Sequence, residues 1–555
     1  MHRTHPPVHS FEPSPTAPRI VLATLNAKYI HASLGLRCLL ANMDVHGGAG
    51  LRAQTVLREF VIQQRPTHIV EELLALDPQV IGLGIYIWNV VETTQVARLL
   101  KTLRPDIKLV LGGPEVSHET AEQEICQLAD HVVTGWGDVS FPKLCRALLD
   151  GPRPLMKVIS GEQPPLGALA FPYAEYSDQD IAERLLYVEA SRGCPFKCEF
   201  CLSALDKTAW AFDLDAFMAE LDALYVRGAR NFKFVDRTFN LKVGHSVRIL
   251  QFFLDRMATK PDLFVHFEVV PDSLPDALKA LIVQFPAGSL QFEVGIQSFN
   301  PEVQQRISRK QDNTKTAENL RWLVQYSQAH VHADLIFGLP GETLKSFAEG
   351  FDRLYALGPH EIQFGILKRL RGTPIARHTA EFAMAYDPQT PYTILQNSTI
   401  DFATMQRINR FARYWDMLAN SGRFARSLKL LLEAESAQTG SASASAFAHF
   451  LAFSDWLWAL TRKTHEFAHE KLVDLLFDHL AKVRGLPEAP VRDALLADYL
   501  ASGARAKPQC LADVLIQPAG NKPARVPRAQ RQARHLSQAE PADLRKAIAQ
   551  AAAAA

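Results

Sequence analysis

Three cysteines stand within eight residues of one another, at positions 194, 198 and 201. Their spacing is C-x3-C-x2-C, and the segment directly follows an apolar stretch, Tyr187–Ser191, that is typical of a strand. Cysteine thiolates hold four-iron clusters, and short spacings let one loop wrap around such a cluster. Because three ligands leave one iron open, Cys194, Cys198 and Cys201 would allow a second molecule to coordinate the cluster directly.

The alternative is a structural zinc site, which usually takes four ligands in two separated pairs. No second pair of cysteines lies near Cys201 in the sequence. The remaining cysteines are Cys38, Cys126, Cys145 and Cys510, which fit buried small side chains or surface thiols. The pattern therefore favours an iron–sulfur cluster over zinc.

Around these cysteines, short strands alternate with amphipathic helices, which predicts parallel sheets covered by helices. Residues 19–150 form one such series, and residues 181–385 form a second one with six candidate strands. Six βα units predict a partial barrel, with chemistry at the carboxyl ends of its strands. The predicted fold is therefore α/β, with an N-terminal doubly wound, Rossmann-like domain, a partial (β/α)6 barrel and a C-terminal helical domain at 386–500.

The segments outside these domains have a different composition. Residues 1–18 are expected to be flexible, residues 151–180 to form a proline-containing linker, and residues 501–555 to form a disordered tail rich in Ala and Arg. The net charge of +1 and the lack of a long apolar run indicate no membrane segment and make nucleic acid an improbable partner. With no secretory signal and few cysteines, a cytoplasmic location is expected.

The cysteine segment, with Phe200 just before the last cysteine, resembles the signature of radical S-adenosylmethionine (SAM) enzymes. The resemblance implies that Cys194, Cys198 and Cys201 bind a [4Fe–4S] cluster and that the amine and carboxylate of SAM chelate the open iron. Phe200 would offer its backbone to the adenine. It also implies cleavage of SAM to a 5′-deoxyadenosyl radical, with the electron coming from a flavodoxin- or ferredoxin-type donor.

Other strand ends of the predicted barrel extend this resemblance. Asp236 follows the second strand, where family members place polar groups near the SAM amine, although the frequent Gly-Gly-Glu is absent here. Gln297 and Ser298 end the fourth strand, the usual position of ribose contacts. The segment 338–342, Gly-Leu-Pro-Gly-Glu, is similar to a turn of the same family after the fifth strand.

The first domain resembles the cobalamin-binding domain of one large radical SAM subclass. Its strand-end loops supply the candidate contacts to cobalamin: Asn26, Tyr29, His31, Tyr86, Trp88, Asn89, Gly112, Gly113, Glu115, Gly135, Trp136 and Gly137. Glycines there would let the backbone approach a flat macrocycle closely. A Rossmann-like domain without a cofactor is the alternative.

His31 departs from the D-x-H-x-x-G pattern of methionine-synthase-like domains. It lacks the Asp two positions earlier, and Gly35 follows four residues later instead of three. A cobalamin with no imidazole ligand from the protein is therefore expected. The alternative role of His31 is that of an ordinary loop residue.

The whole-chain pattern resembles a bacterial subgroup that joins both domains to a helical domain of unassigned role. The favoured function is cobalamin-dependent methyl transfer to an unreactive carbon of a small-molecule substrate, with no catalytic side chain assigned. A non-methylating radical enzyme, an RNA-modifying enzyme and a non-catalytic cobalamin or redox sensor are the alternatives. Lys368, Arg369 and Arg371 could hold an anionic substrate or form a solvated basic loop.

Overall fold

The computed structural model describes residues 18–206, 208–432, 445–504 and 506–513. Within them, an N-terminal α/β domain is followed by a second parallel sheet and then by a helical domain. The strands of the first domain are β1 Ile20–Asn26, β2 Thr55–Val61, β3 Val80–Gly84, β4 Lys108–Gly112, β5 His131–Thr134 and β6 Val158–Ser160. Its helices are α1 Leu34–Ala41, α2 Met43–Gly47, α3 Pro66–Leu74, α4 Val90–Leu103, α5 Glu124–Leu128 and α6 Ser140–Asp150.

The first sheet is parallel and has the strand order β2-β1-β3-β4-β5-β6 in the described residues. Every residue of β1 is buried, as expected for a central strand that is covered on both faces. Helices α3, α4 and α5 pack on one face of the sheet, and α1, α2 and α6 pack on the other. The predicted doubly wound domain is thus confirmed, and ligands of such sheets bind beyond the carboxyl ends of the strands.

The segment predicted as a linker, 151–180, contains regular structure and buried side chains. Strand β6 lies inside the segment and pairs with β5. Tyr173 and Tyr176 are buried, and α7, Asp178–Glu183, begins with a capping box formed by Ser177. The segment thus completes the first domain and leads directly into the barrel.

The second sheet is an open, parallel partial barrel. Its strands are β7 Leu186–Val188, β10 Asn231–Phe234, β11 Phe264–Val269, β12 Leu290–Gln297, β13 His330–Phe337 and β14 Glu361–Ile366, with β8 Ser191–Arg192 and β9 Trp210–Ala211 as a short hairpin. The strands of the barrel sheet follow one another in chain order, and β7 and β14 are its two edges in the described residues. The predicted six-stranded partial barrel is therefore confirmed.

Helices cover the outside of the barrel sheet. They are α8 Leu214–Val226, α9 Val243–Met257, α10 Asp276–Ile282, α11 Pro301–Arg306, α12 Asn313–Tyr326 and α13 Leu344–Ala356. The Asp213 side chain caps α8 by accepting from the Ala216 amide, and Gly228 follows the helix at φ +106°.

The helical domain begins later than predicted, after a short hairpin of β15 Ala385–Tyr386 and β16 Ile394–Gln396. Its helices are α14 Phe402–Leu418, α15 Ala425–Leu432, α16 Ala446–Thr461, α17 His469–Phe477 and α18 Glu488–Ala501. Asn420 bonds both the amide and the carbonyl of Ile362, so the domain satisfies the open edge of β14. Helix α14 therefore lies beside the end of the barrel.

The prediction of a disordered tail over 501–555 is wrong for its first part. Within 506–513, Leu511 is fully buried and the Cys510 amide donates to Asp474 on α17. Predicted residues 1–17 of the flexible N-terminus and 514–555 of the tail lie outside the described residues. No helix in the described ranges is long and apolar enough to cross a membrane.

Candidate active site

The cysteine loop begins at the carboxyl end of β7 and is held by the β8–β9 hairpin. The Cys194 amide donates to the Asp206 carbonyl, and the Cys201 amide donates to the Cys198 carbonyl. Gly193 has φ +90°, and a Cβ there would lie 2.7 Å from the Ala209 amide nitrogen. The loop can therefore follow this tight path only with glycine at that position.

Cys194, Cys198 and Cys201 line one cavity of about 250 Å³ at the mouth of the barrel, the cluster cavity. Arg309 donates to the Cys198 sulfur at 3.6 Å, and Arg237 lines the same cavity. Burial raises the pKa of the Cys194 and Cys198 thiols, whereas Arg237 and Arg309 respectively act to lower it. Two cations thus favour the thiolates that bind iron.

The donor set fits a four-iron cluster better than a single metal ion. Within the described residues, no three His, Cys, Asp or Glu side chains converge on one ion position. In a four-iron cluster each thiolate binds a different iron, so three ligands need not converge on one point. Cys194, Cys198 and Cys201 would hold the cluster, and this assignment stays a prediction.

Glu199, between the last two cysteines, ties the loop to the rest of the barrel. It is buried and accepts hydrogen bonds from Ser308 Oγ at 2.5 Å, from His378 Nε2 at 2.8 Å and from Arg377. Its backbone bonds the carbonyl of Ile307 and the amide of Ile375. These contacts fix the loop from the side opposite the β8–β9 hairpin.

The predicted SAM contacts separate into two groups. Phe200 and Gln297 line the cluster cavity and also the larger cavity next to it, and Gln297 has φ +69°. Ser298 is buried and donates to Glu342 Oε1 at 2.5 Å. The first two residues are thus available to SAM, whereas Ser298 holds the turn at Glu342.

Asp236 does not line the cluster cavity. Its buried carboxyl accepts from the Ala190 amide at 3.0 Å and from Ser191 Oγ at 2.5 Å, and it borders a separate cavity of about 220 Å³. Burial raises the pKa of Asp236 to about 7. The carboxyl thus supports the strand that leads into the cysteine loop, and the geometry gives no support to the predicted contact with the SAM amine.

Charged residues that the sequence reading missed complete the floor of the cluster cavity. They are Arg237, Glu268, Glu293, Arg309 and Asp334. Arg237 pairs with Glu268 at 2.7 Å, and Lys233 pairs with Glu293 at 3.3 Å. Glu268 and Glu293 lie on β11 and β12, where alternation along strands could have identified them. Arg309 lies in a loop, and its sequence neighbours give no such signal.

The first domain has a cavity of about 310 Å³ between its sheet and helices α1 and α6, the first-domain cavity. The predicted cobalamin contacts that line it are Tyr86, Gly112, Gly113, Gly135, Trp136 and Gly137. A Cβ on Gly82 would lie 2.7 Å from Phe141, and one on Gly137 would lie 2.9 Å from Leu39. Glycines keep this cavity open where side chains would fill it, so the residues present are compatible with a large flat cofactor such as cobalamin.

The other predicted cobalamin contacts serve the loops themselves. The buried Asn89 side chain accepts from the Tyr86 amide and donates to Thr24, Leu25 and Gly84. Trp88 stacks on Tyr86, with ring centroids 4.4 Å apart, and remains half exposed. Asn89 therefore shapes the loop that presents Tyr86 to the cavity.

The β1 loop and Glu115 bind neighbouring segments. Asn26 donates to the His31 carbonyl and to Glu59, and Tyr29 bonds Glu183. His31 Nδ1 lies 2.7 Å from the Tyr187 hydroxyl. Glu115 accepts from Arg371 and Tyr392, as described below. His31 therefore contacts the first barrel strand, which agrees with its alternative role as a loop residue.

An ion-pair cluster connects the first domain to the segment that leads into the cysteine loop. Arg192 pairs with Asp138 at 2.9 Å and with Glu189 at 3.0 Å, and its guanidinium lies 4.7 Å from the centroid of Trp136. Arg192, Glu189, Asp138 and Trp136 all line the first-domain cavity. Arg192 lies two residues before Cys194, so one wall of the first-domain cavity leads along the chain into the cysteine loop.

This combination defines a class: a Rossmann-like cofactor domain set directly against a partial barrel with a three-cysteine loop. Family models agree with it. The B12 binding domain matches residues 20–145, the radical SAM superfamily matches residues 188–354, and a protein of unknown function (DUF4080) matches residues 380–553. The chain thus carries a radical SAM domain and a B12-binding domain. These domains imply a [4Fe–4S] cluster, SAM and cobalamin as cofactors.

Individual relatives cover parts of the chain. The 2-(S-pantetheinyl)-carbapenam-3-carboxylate methyltransferase of Streptantibioticus cattleyicolor is 26% identical over 54% of this chain and 49% of its own length. The cobalamin-dependent radical SAM methyltransferase TokK of Streptomyces tokunonensis is 24% identical over 52% and 46%. The match thus spans about half the length of these two relatives.

A solved structure shares the fold. The radical SAM methyltransferase TsrM from Kitasatospora setae, with tryptophan and a SAM analogue bound, superposes with a TM-score of 0.53 at 17% identity. The superposition covers 65% of this chain and 76% of that one. At this identity the likeness supports the fold, with its two α/β domains.

Proposed function

We propose that this protein is a cobalamin-dependent radical SAM enzyme that transfers a methyl group to an unreactive carbon of a small molecule. The observation that carries the proposal is the Arg192 cluster, which places the first-domain cavity against the three-cysteine loop. The methyltransferase names of the relatives support it. When bound, the cluster and SAM supply a 5′-deoxyadenosyl radical, and cobalamin supplies the methyl group.

The side chains of the protein bind and orient these groups. Cys194, Cys198 and Cys201 provide thiolates, and Arg309 stabilises the negative charge at Cys198. Phe200 and Gln297 form the wall that the cluster cavity shares with the cavity beside it. A SAM held at this wall lies next to the space in which a substrate can bind.

Asp334 faces both of these cavities and can hold a proton there. Burial, together with the charges of Glu293 and Glu268, raises the pKa of Asp334 well above its usual range. The raised pKa favours the protonated form, and in that form Asp334 can donate a hydrogen bond to a substrate or to SAM. An external reductant, of the flavodoxin or ferredoxin type, supplies the electrons.

The test is a product assay under strictly anaerobic conditions. The reconstituted full-length protein, reduced and supplied with cobalamin, is incubated with SAM and analysed by mass spectrometry. We expect 5′-deoxyadenosine, lost in Cys198→Ala but retained in Cys145→Ala, which removes a buried thiol of the first domain. Cobalamin-dependent S-adenosylhomocysteine supports methyl transfer, because a second SAM provides the methyl group.

The outcomes separate the alternatives. 5′-Deoxyadenosine without cobalamin-dependent S-adenosylhomocysteine would favour a radical enzyme that does not methylate. If a protein with a full cluster forms neither product, the proposed enzymatic activity is refuted and a role as a cobalamin or redox sensor is favoured.

A further inference from the structure

A further cavity at the barrel mouth lies beside the cluster cavity, and we call it the outer cavity. Its volume is about 660 Å³, within the range of small-molecule binding sites. It is bounded by the ends of β13 and β14 on one side and by helix α14 on the other. Phe200, Gln297 and Asp334 form its inner end, so a molecule in it reaches the cysteine loop.

Two cations line this cavity from opposite elements. Lys368 follows β14, and Arg413 lies on α14. Neither side chain forms an ion pair or a hydrogen bond to the described part of the chain. Burial, and then the neighbouring Arg413, lower the pKa of Lys368. The two positive charges thus repel each other, and an anion bound between them would relieve that repulsion.

The neighbouring basic residues behave differently. Arg369 pairs with Glu119 at 3.0 Å, and Arg371 pairs with Glu115 at 3.0 Å and with Glu119 at 2.9 Å. Both arginines are therefore neutralised by carboxylates of the first domain. The expectation that Arg369 and Arg371 hold a substrate anion or form a solvated loop is wrong, because they join two domains. Lys368 is left as the basic residue of this segment that faces the outer cavity.

The remaining walls are mixed in character. Apolar side chains, including Leu335, Ile336, Phe364 and Leu367, line the space between the cations and the cysteine loop. Asp416 lies one turn beyond Arg413 on α14 and already has an interaction of its own. The outer cavity therefore combines two cations and several apolar side chains with an inner end next to the cluster cavity.

We infer that the outer cavity binds the substrate, and that this substrate carries a carboxylate or a phosphate held by Lys368 and Arg413 and an apolar body that extends toward Phe200. This inference rests on the proposed function, because it takes the cluster cavity as the reaction centre. It also gives the helical domain a role, since α14 supplies one of the two cations. Charge-assisted pairs of this kind fix the orientation of a substrate as well as its affinity.

The test uses small aromatic anions and the reconstituted full-length protein. Benzoate and phenyl phosphate are titrated by calorimetry, with benzamide as the neutral control that matches benzoate in shape. We expect saturable binding of at least one anion. Tighter binding of benzoate indicates a carboxylate substrate, and tighter binding of phenyl phosphate indicates a phosphate substrate. Lys368→Gln and Arg413→Gln should each weaken that binding by about tenfold, because each removes one charge-assisted contact.

The matched control is Arg423→Gln, an exposed cation of the helical domain outside the cavity, which should leave anion binding unchanged. Equal binding of an anion and of benzamide, or undiminished anion binding in the Lys368→Gln, Arg413→Gln double variant, would overturn the inference. SAM cleavage by the unmodified protein is measured on the same preparation. Cleavage without anion binding overturns the anion site and leaves the proposed function standing, whereas anion binding without cleavage overturns the proposed function and the substrate role together.

Discussion

Arg192 offers a direct way to test how strongly its ion pairs with Asp138 and Glu189 stabilise the contact between the first domain and the barrel. Its side chain is 15% exposed, and those of its partners Asp138 and Glu189 are 7% and 15% exposed. Removing one partner of a buried ion pair costs about 3–5 kcal/mol, because the remaining charges lose their compensation. Arg192→Ala leaves two such carboxylates, so we expect a loss of about 4 kcal/mol.

The assay is urea unfolding of the protein followed by tryptophan fluorescence, to which Trp136 under Arg192 contributes. The free energy of unfolding falls by about 2–3 kcal/mol per M of urea, so a loss of about 4 kcal/mol lowers the urea midpoint of unfolding by about 1–2 M. The control is Arg98→Ala, whose partner Glu124 is exposed and whose loss should cost less than about 1 kcal/mol.

The same variant has a predicted pH dependence. Burial already raises the pKa of Glu189, and Arg192 opposes that rise. Without Arg192 the pKa of Glu189 rises further. A carboxyl whose pKa is raised in the folded state stabilises the fold below its unfolded pKa, near 4, and that stabilisation is lost as the pH increases. The deficit of Arg192→Ala should therefore be larger at pH 8 than at pH 5. Midpoints equal to those of Arg98→Ala at both pH values would refute this account of the interface.

Further predictions concern the loops and the domain contact. Gly113 has φ +109°, and a Cβ there would lie 2.4 Å from the Ile85 carbonyl oxygen, so Gly113→Ala should lower the free energy of unfolding by about 3 kcal/mol or more. Gly50 has φ +80° but faces open space, so Gly50→Ala should lower it by about 1 kcal/mol. Equal urea midpoints of the two variants would contradict this. Glu119→Gln removes the acceptor of Arg369 and Arg371, so trypsin should cleave segment 151–180 faster than in the unmodified protein. An unchanged cleavage rate would argue that these ion pairs do not hold the two domains together. Because the folded pKa of Asp236 is about 7, its neutral carboxyl stabilises the fold below pH 4 by roughly 4 kcal/mol, and this contribution is lost as the pH rises through 7. Asp236→Asn should therefore reduce the dependence of the urea midpoint on pH between pH 4 and 8. An unaltered pH dependence would disprove this role of Asp236.

Patterns with a strong local signal were predictable from the sequence. The barrel strands, such as β12 at Leu290–Gln297, are apolar runs between amphipathic helices. Strand β6 gave no such signal, because Val158–Ser160 is a short, largely exposed edge strand. It forms because β5 offers an open edge to pair with, which no local pattern reveals.

The cysteines were predictable as a site because their spacing is itself the signal, whereas contacts between distant residues were not. Arg192 and Arg309 acquire their roles from partners far away along the chain. The segment after β14 shows how alternation decides function: Lys368 and Leu370 line the outer cavity, while Arg369 and Arg371 point to the first domain. The residue types predicted one basic cluster in this segment, but successive side chains point to opposite sides of the extended backbone and therefore face different surroundings.

The central claim is that Cys194, Cys198 and Cys201 hold a four-iron cluster with one iron open to SAM. Electron paramagnetic resonance of the anaerobically reconstituted, reduced protein tests it directly, together with the iron content per chain. The account predicts four irons per chain and a cluster signal whose g values shift when SAM is added. One zinc ion per chain, or a cluster signal that SAM leaves unchanged, would contradict it.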